Sequence, residues 1–166
     1  MKKLQIIGRI LAWFNLIIWG IPLVSSLLGM LAAFNSSMLV RLVLFAAIPL
    51  QSYAALQLQK SLRHPELKLS QQTPAGIRFV GIIALFIGIL VVLAGVLLLQ
   101  DAKDVLPGLK DQMAGYNMGD TSALTVDNLK AMGGLMLFLG LTVIASVMIH
   151  LRLLRWYYLV KQSDVS

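Results

Sequence analysis

The chain has 166 residues, 58% of them hydrophobic and only 13% charged, with a mean hydropathy of +0.83 and a formal net charge of +7. A soluble domain of this size carries about a quarter charged residues, so an ordinary water-soluble fold is excluded. The absence of cysteine excludes disulfides, thiolate nucleophiles, iron–sulfur ligation and cysteine zinc sites.

Four stretches, 10–34, 42–59, 79–100 and 131–149, contain no Asp, Glu, Lys, Arg or His. At about 1.5 Å per helical residue, runs of roughly 18 to 25 residues match the hydrocarbon thickness of a bilayer. The fold expected is an all-α membrane protein, a single-domain antiparallel bundle of four transmembrane helices. Its spans lie at about 10–33, 38–58, 77–99 and 131–151, with a loop at 60–76 on one side and a loop at 101–130 on the other.

Span 1 follows a Lys2-Lys3 pair that resembles the start of a signal peptide. Its apolar run is too long for one and no A-x-A cleavage site follows, so a retained span is expected. Pro22 should kink it. Gly8, Ala12, Asn15, Trp19, Pro22, Ser26, Gly29 and Ala33 recur at alternating steps of four and three, an unbroken heptad seam of mostly small residues. Asn35-Ser36-Ser37 then makes a tight turn into span 2; it matches a glycosylation sequon but lies too near the membrane to be used.

Span 2 carries Pro49 near its centre, followed by Gln51, Ser52 and Tyr53. Three consecutive polar residues point in three directions round a helix. Asn15 and Gln51 fall at similar depth in the inner half of the bilayer, within reach of a mutual hydrogen bond. Interhelical glue and a small polar cavity open to the cytoplasm both fit. In the next connection, Thr73-Pro74 suits a helix start, threonine as cap and proline as first residue.

Span 3 holds Gly81, Gly88 and Gly95 seven apart. Its helix is expected to run on to about Leu106 and to break at Pro107-Gly108, before an irregular stretch around 115–119. Thr125 should cap the last helix, with Asp127 favourable in its first turn. Span 4 has Gly133 and Gly140 seven apart, then Ser146 one residue short of that register. Small residues let helices approach closely in lipid. Spans 3 and 4 are therefore expected to pack glycine to glycine in a left-handed bundle. The stripes, with Ser26 and Gly29 of span 1 among them, fit packing within the chain; the alternative is that at least one stripe faces a partner protein or a second copy.

Ten of the 14 Lys and Arg fall on the side of the termini, and five of the seven acids on the other. The positive-inside rule then places both termini in the cytoplasm and 101–130 outside. This also explains the basic charge without nucleic acid. Arg41 is expected at the outer surface, and Arg78, Arg152, Arg155, Trp156 and Tyr157 at the inner one, in contact with anionic lipid headgroups.

Chemical motifs are scarce. No Asp or Glu lies inside a span, which argues against proton- or cation-coupled transport. His64 falls in a loop and His150 is expected at headgroup level beside Arg152, so neither haem nor a metal is expected. Ser25, Ser26, Ser52 and Ser146 have no base placed near them by sequence. The external aspartates lack the spacing of a calcium loop. Catalytic residues and cofactors are expected to be none.

Residues 56–90, with LQLQKSL closing span 2, a short basic linker and IRFVGIIALF opening span 3, resemble a bacterial family of four-span integral membrane proteins of unknown function. That family's linker commonly carries a Gly-x-Pro-Phe-like element, where this chain reads HPELKLS. The resemblance implies the bacterial cytoplasmic (inner) membrane and an association with small cytoplasmic regulators. The expected function is that of a non-enzymatic accessory, sensory or regulatory subunit acting through helix and lipid contacts. The alternative is a small channel or facilitator with a polar path near Asn15 and Gln51; an intramembrane enzyme comes third.

Overall fold

The computed structural model describes residues 2–32, 36–64, 67, 69–70, 72–115 and 124–163. Every regular element among them is helical: α1 (Lys2–Ala32), α2 (Ser36–Arg63), α3 (Gln72–Ala75), α4 (Gly81–Gln100), α5 (Ala102–Gly115) and α6 (Val126–Ser163). A π-helical turn, Gly76–Val80, joins α3 to α4, so Gln72–Gln100 is one continuous helix. Pro22 and Pro49 are carried inside α1 and α2.

Three stretches, Lys2–Gly29, Gln72–Gln100 and Val126–Leu159, are long and apolar enough to cross a membrane; 18 consecutive residues in each reach mean hydropathies of 1.8, 3.3 and 2.2. By composition this is a membrane protein. In those same 18 residues only 11%, 17% and 28% are buried within the protein, which leaves most of their apolar surface to an apolar solvent. On α1, Ile6, Ile10, Trp13, Ile17, Ile21, Val24 and Leu28 form one exposed stripe, while Gly8, Ala12, Asn15 and Trp19 on the opposite face are buried.

The sequence reading expected four such helices. α2 forms where the second was placed, yet among the described residues it is not one of the three. Asn35 of the sequon and residues 116–119 of the irregular stretch lie outside the described residues, but Ser36 and Ser37 belong to α2 rather than to a turn, and Gly115 ends α5.

Two helix boundaries also differ from expectation. Thr73 lies inside α3, and its hydroxyl, rather than capping the helix, donates to Gln57 Oε1 of α2 at 2.8 Å. The break after α4 falls at Asp101, whose carbonyl accepts from the N–H groups of Asp104 and Val105 (3.0 and 2.9 Å) and so starts α5. Pro107 sits within α5 instead of ending it. Lys103 and Pro107 are both exposed, on the side of α5 where water can serve the carbonyl that proline leaves without an N–H partner. At α6, Thr125 Oγ1 accepts from the Asn128 N–H at 3.2 Å, and Asp127 lies in the first turn, a regular N-cap.

The chain divides into two compact units. The first, Met1–Ile87 with Thr142–Ser166, has a core of Ala54, Leu58, Ile77, Leu153 and Leu154, surrounded by Leu4, Leu62, Leu69, Ile149, Leu151 and Tyr157. The second, Gly88–Leu141, is held by backbone approach. A Cβ on Gly95 would stand 2.7 Å from the Gly133 carbonyl oxygen and 2.8 Å from the Leu137 nitrogen; one on Gly133 would stand 2.8 Å from the Gly95 oxygen. One on Gly140 would meet Val92 Cγ2 at 2.7 Å and the Gly88 oxygen at 2.8 Å. Only glycine fits these positions.

Candidate functional site

The first unit contains a buried ladder of polar side chains. α6 supplies Thr142, Ser146 and His150, four residues apart and hence on one face. α2 supplies Gln51, Ser52 and Gln59, and α1 supplies Asn15. Asn15, Ser52, Ser146 and His150 are fully buried, and Gln51 is 1% exposed.

Two rungs are closed by hydrogen bonds. In one, Asn15 Nδ2 donates to the Thr142 carbonyl (3.3 Å) while the Thr142 hydroxyl donates to Asn15 Oδ1 (3.1 Å). In the other, His150 Nδ1 lies 2.6 Å from the Ser146 carbonyl and Nε2 lies 2.9 Å from Gln59 Nε2. A carbonyl only accepts, so Nδ1 carries the hydrogen, and Nε2 accepts from the Gln59 amide. The rungs lie eight residues apart on α6, about 12 Å along the helix.

Gly8 permits the second rung. A Cβ there would stand 2.9 Å from Ile149 Cγ2, 3.2 Å from Gln59 Nε2 and 3.3 Å from His150 Nε2. α1 therefore closes over the Gln59–His150 pair because residue 8 has no side chain. Gly81 lies against the middle of the ladder more loosely: a Cβ there would make ordinary contacts, 3.6 Å to Val147 Cγ1 and 3.9 Å to Gln51 Cγ.

Among the described residues of this unit, three buried donors have no hydrogen-bond partner: Gln51 Nε2, Ser52 Oγ and Trp19 Nε1. Trp19 packs on Phe45, with ring centroids 6.4 Å apart. A dry buried donor without a partner costs about 1–3 kcal/mol, so among the described residues this level is the least satisfied part of the unit's interior.

Several sequence expectations are corrected. Asn15 pairs with Thr142, not with Gln51, because its seam faces α6 there. Tyr53 is 56% exposed and does not share the interior with Gln51 and Ser52. His150, expected beside Arg152, is fully buried among the helices, since it follows Thr142 and Ser146 on the inward face. Ser146 is not a late member of the glycine stripe. Six residues at about 100° each turn it some 120° from Gly140.

Of the residues expected to pack helices, Gly81, Gly88, Gly95, Gly133 and Gly140 are buried, Ser26 is half-buried, and nothing stands within 4 Å of a Cβ built on Gly29. Of those expected at the interface, Arg78, Arg152 and Arg155 are exposed and Trp156 is half-buried. Tyr157 packs against the leucine core and meets Tyr158 edge-on at 5.8 Å. The side chain of Arg41 lies outside the described residues. Thr142, Gln59 and Gly8 were missed as site residues. The four-residue repeat of Thr142, Ser146 and His150 was the signal that would have found the first of them.

Ser146 and His150 resemble a nucleophile and base one helical turn apart, with Oγ 3.4 Å from Nδ1. Nδ1 is already a donor to the Ser146 carbonyl and Nε2 is engaged by Gln59, so neither nitrogen is free to take the hydroxyl proton. Among the described residues no three His, Cys, Asp or Glu side chains come together as a metal site. Comparison with family models, curated proteins and solved structures finds no match.

Proposed function

We propose that this chain is a four-span protein of a bacterial cytoplasmic membrane, with α2 as the remaining crossing and both termini in the cytoplasm. It acts there as a non-enzymatic accessory or regulatory subunit through helix and lipid contacts. The observation that carries this reading is the division of the α1 seam. From Gly8 to Trp19 the seam is buried against α2 and α6, whereas Ser26 is only half-buried and a side chain at Gly29 would meet nothing within 4 Å among the described residues. The outer end of the seam is thus shaped for close approach and left uncovered, which suits a second protein or a second copy. The polar rungs support the same reading, because each spends its hydrogen bonds on holding helices together.

The test uses the absence of native cysteine. Ser26→Cys or Gly29→Cys, treated with a thiol crosslinker in native membranes, is expected to trap a second copy or a distinct protein. A chain that stays monomeric from both positions overturns the reading.

A second reading, a small channel or facilitator, is favoured by the unpartnered Gln51 Nε2, Ser52 Oγ and Trp19 Nε1, which a hydrated path would satisfy. Reconstituted liposomes should then show solute flux that Gln51→Leu reduces; flux unchanged by that substitution rejects it.

A further inference from the structure

We propose that a cleft on the first unit seats the phosphate headgroup of an anionic phospholipid between Arg78 and Arg155. The cleft has a volume of about 430 Å³ and is lined by Arg78, Leu151, Leu154, Arg155, Tyr158 and Leu159. Its cations come from two different helices, the π turn before α4 and the end of α6. Guanidinium groups present forked donors that match phosphate oxygens, and two of them converging on one cleft form a phosphate clamp.

Three observations select a lipid headgroup. The first is preorganisation: the Arg78 guanidinium lies 5.8 Å from the centre of the Tyr158 ring, a cation–π contact that holds it at the cleft. The second is charge. All described acids belong to 101–127, and the only two of the first unit's sequence, Glu66 and Asp164, lie outside the described residues. The two arginines therefore have no described carboxylate in their own unit to neutralise them. The third is depth and lining. Arg78 immediately precedes the uncharged run 79–100, and Arg155 follows closely on 131–149, so the cleft lies where an apolar core gives way to headgroups. Its leucines, with exposed Ile82 and Phe86 one and two turns beyond Arg78, offer the acyl chains a continuous apolar track.

The inference rests on the membrane reading above, and its test separates the two. The full-length protein, purified in mild detergent, is equilibrated with phosphatidylglycerol or with phosphatidylcholine of the same acyl chains, and bound lipid is counted by native mass spectrometry. The wild type should prefer phosphatidylglycerol, and R78Q/R155Q should lose about tenfold of that preference. A charge-matched control, K60Q/R63Q, alters a separate basic cleft of about 330 Å³ and should lose at most about twofold. R78K/R155K keeps the charge but not the fork and should fall between them.

Equal losses in the two charge-matched variants would reduce the effect to a diffuse basic rim and overturn the proposal. So would displacement of the lipid by excess inorganic phosphate, which marks a free-anion site. If R78Q/R155Q loses its helical circular dichroism, Tyr158→Leu reads the same cleft by removing the ring under Arg78. A several-fold loss is expected, and unchanged retention overturns the proposal. Orientation is read independently by labelling single cysteines placed at residues 63 and 104. A correctly oriented protein that shows no lipid preference sinks the cleft alone, whereas the wrong orientation sinks the membrane reading.

Discussion

The two compact units hold their helices by different means. In 88–141 the seam is made of Gly88, Gly95, Gly133 and Gly140, and main chain rests on main chain. In the other unit the helices are joined by side-chain bonds, Asn15 to Thr142 and Gln59 to His150. Lipid is as apolar as leucine, so burial of apolar surface drives neither association. Close packing and internal hydrogen bonds remain, and each unit relies chiefly on one. Packing of main chain on main chain has almost no slack, whereas a polar rung can lose a bond and keep its shape.

This contrast makes graded predictions. The largest effect should come from Gly95→Leu, since even a Cβ would collide with backbone at 2.7 Å. Overpacking typically costs about 1–3 kcal/mol and a backbone clash exceeds that range, so the variant should fail to give a cooperative unfolding transition in detergent. A normal transition would show that the seam yields. Next is Gln59→Leu, which leaves His150 Nε2 buried without its donor, at a cost of about 1–3 kcal/mol in an unfolding titration. Gly8→Ala should weaken the same rung by crowding it, and an additive double variant would uncouple the two. Smaller again is the Asn15–Thr142 rung. A double-mutant cycle of Asn15→Leu with Thr142→Val should give a coupling of about 0.6–1.7 kcal/mol, as interhelical bonds in membranes do; zero coupling would show that the pair is incidental. Smallest is Gly29→Ala, where the added methyl meets nothing and stability should not fall. Loss of the Gly29→Cys crosslink together with loss of stability would instead mean the position is covered within the chain.

Much of this architecture was legible in the sequence, because helical periodicity needs only one segment at a time. The glycines seven apart in α4 and α6 announced a close seam, and Thr125 with Asp127 announced the start of α6. The site was less legible. Depth along two helices placed Asn15 near Gln51, but which faces meet depends on how the helices rotate, and Asn15 turned to Thr142. The neighbours Arg152 and Arg155 suggest the depth of His150 but not its partners; its burial against Gln59 follows from its membership of the Thr142–Ser146 face. Pro107 was read as a break from residue type alone, whereas an exposed proline in a solvated helix can be accommodated.

The π-helical turn at Gly76–Val80 leaves a mark on which changes in chain length the protein tolerates. A π turn is an α-helix with one residue to spare. Deleting a single residue there should leave an ordinary helix with Gly81, Gly88 and Gly95 still aimed at their neighbours. The same deletion a few turns later would swing everything beyond it by about 100° and point the seam into lipid. This helix therefore has one place where a codon can be lost cheaply, and it coincides with the turn that carries Arg78.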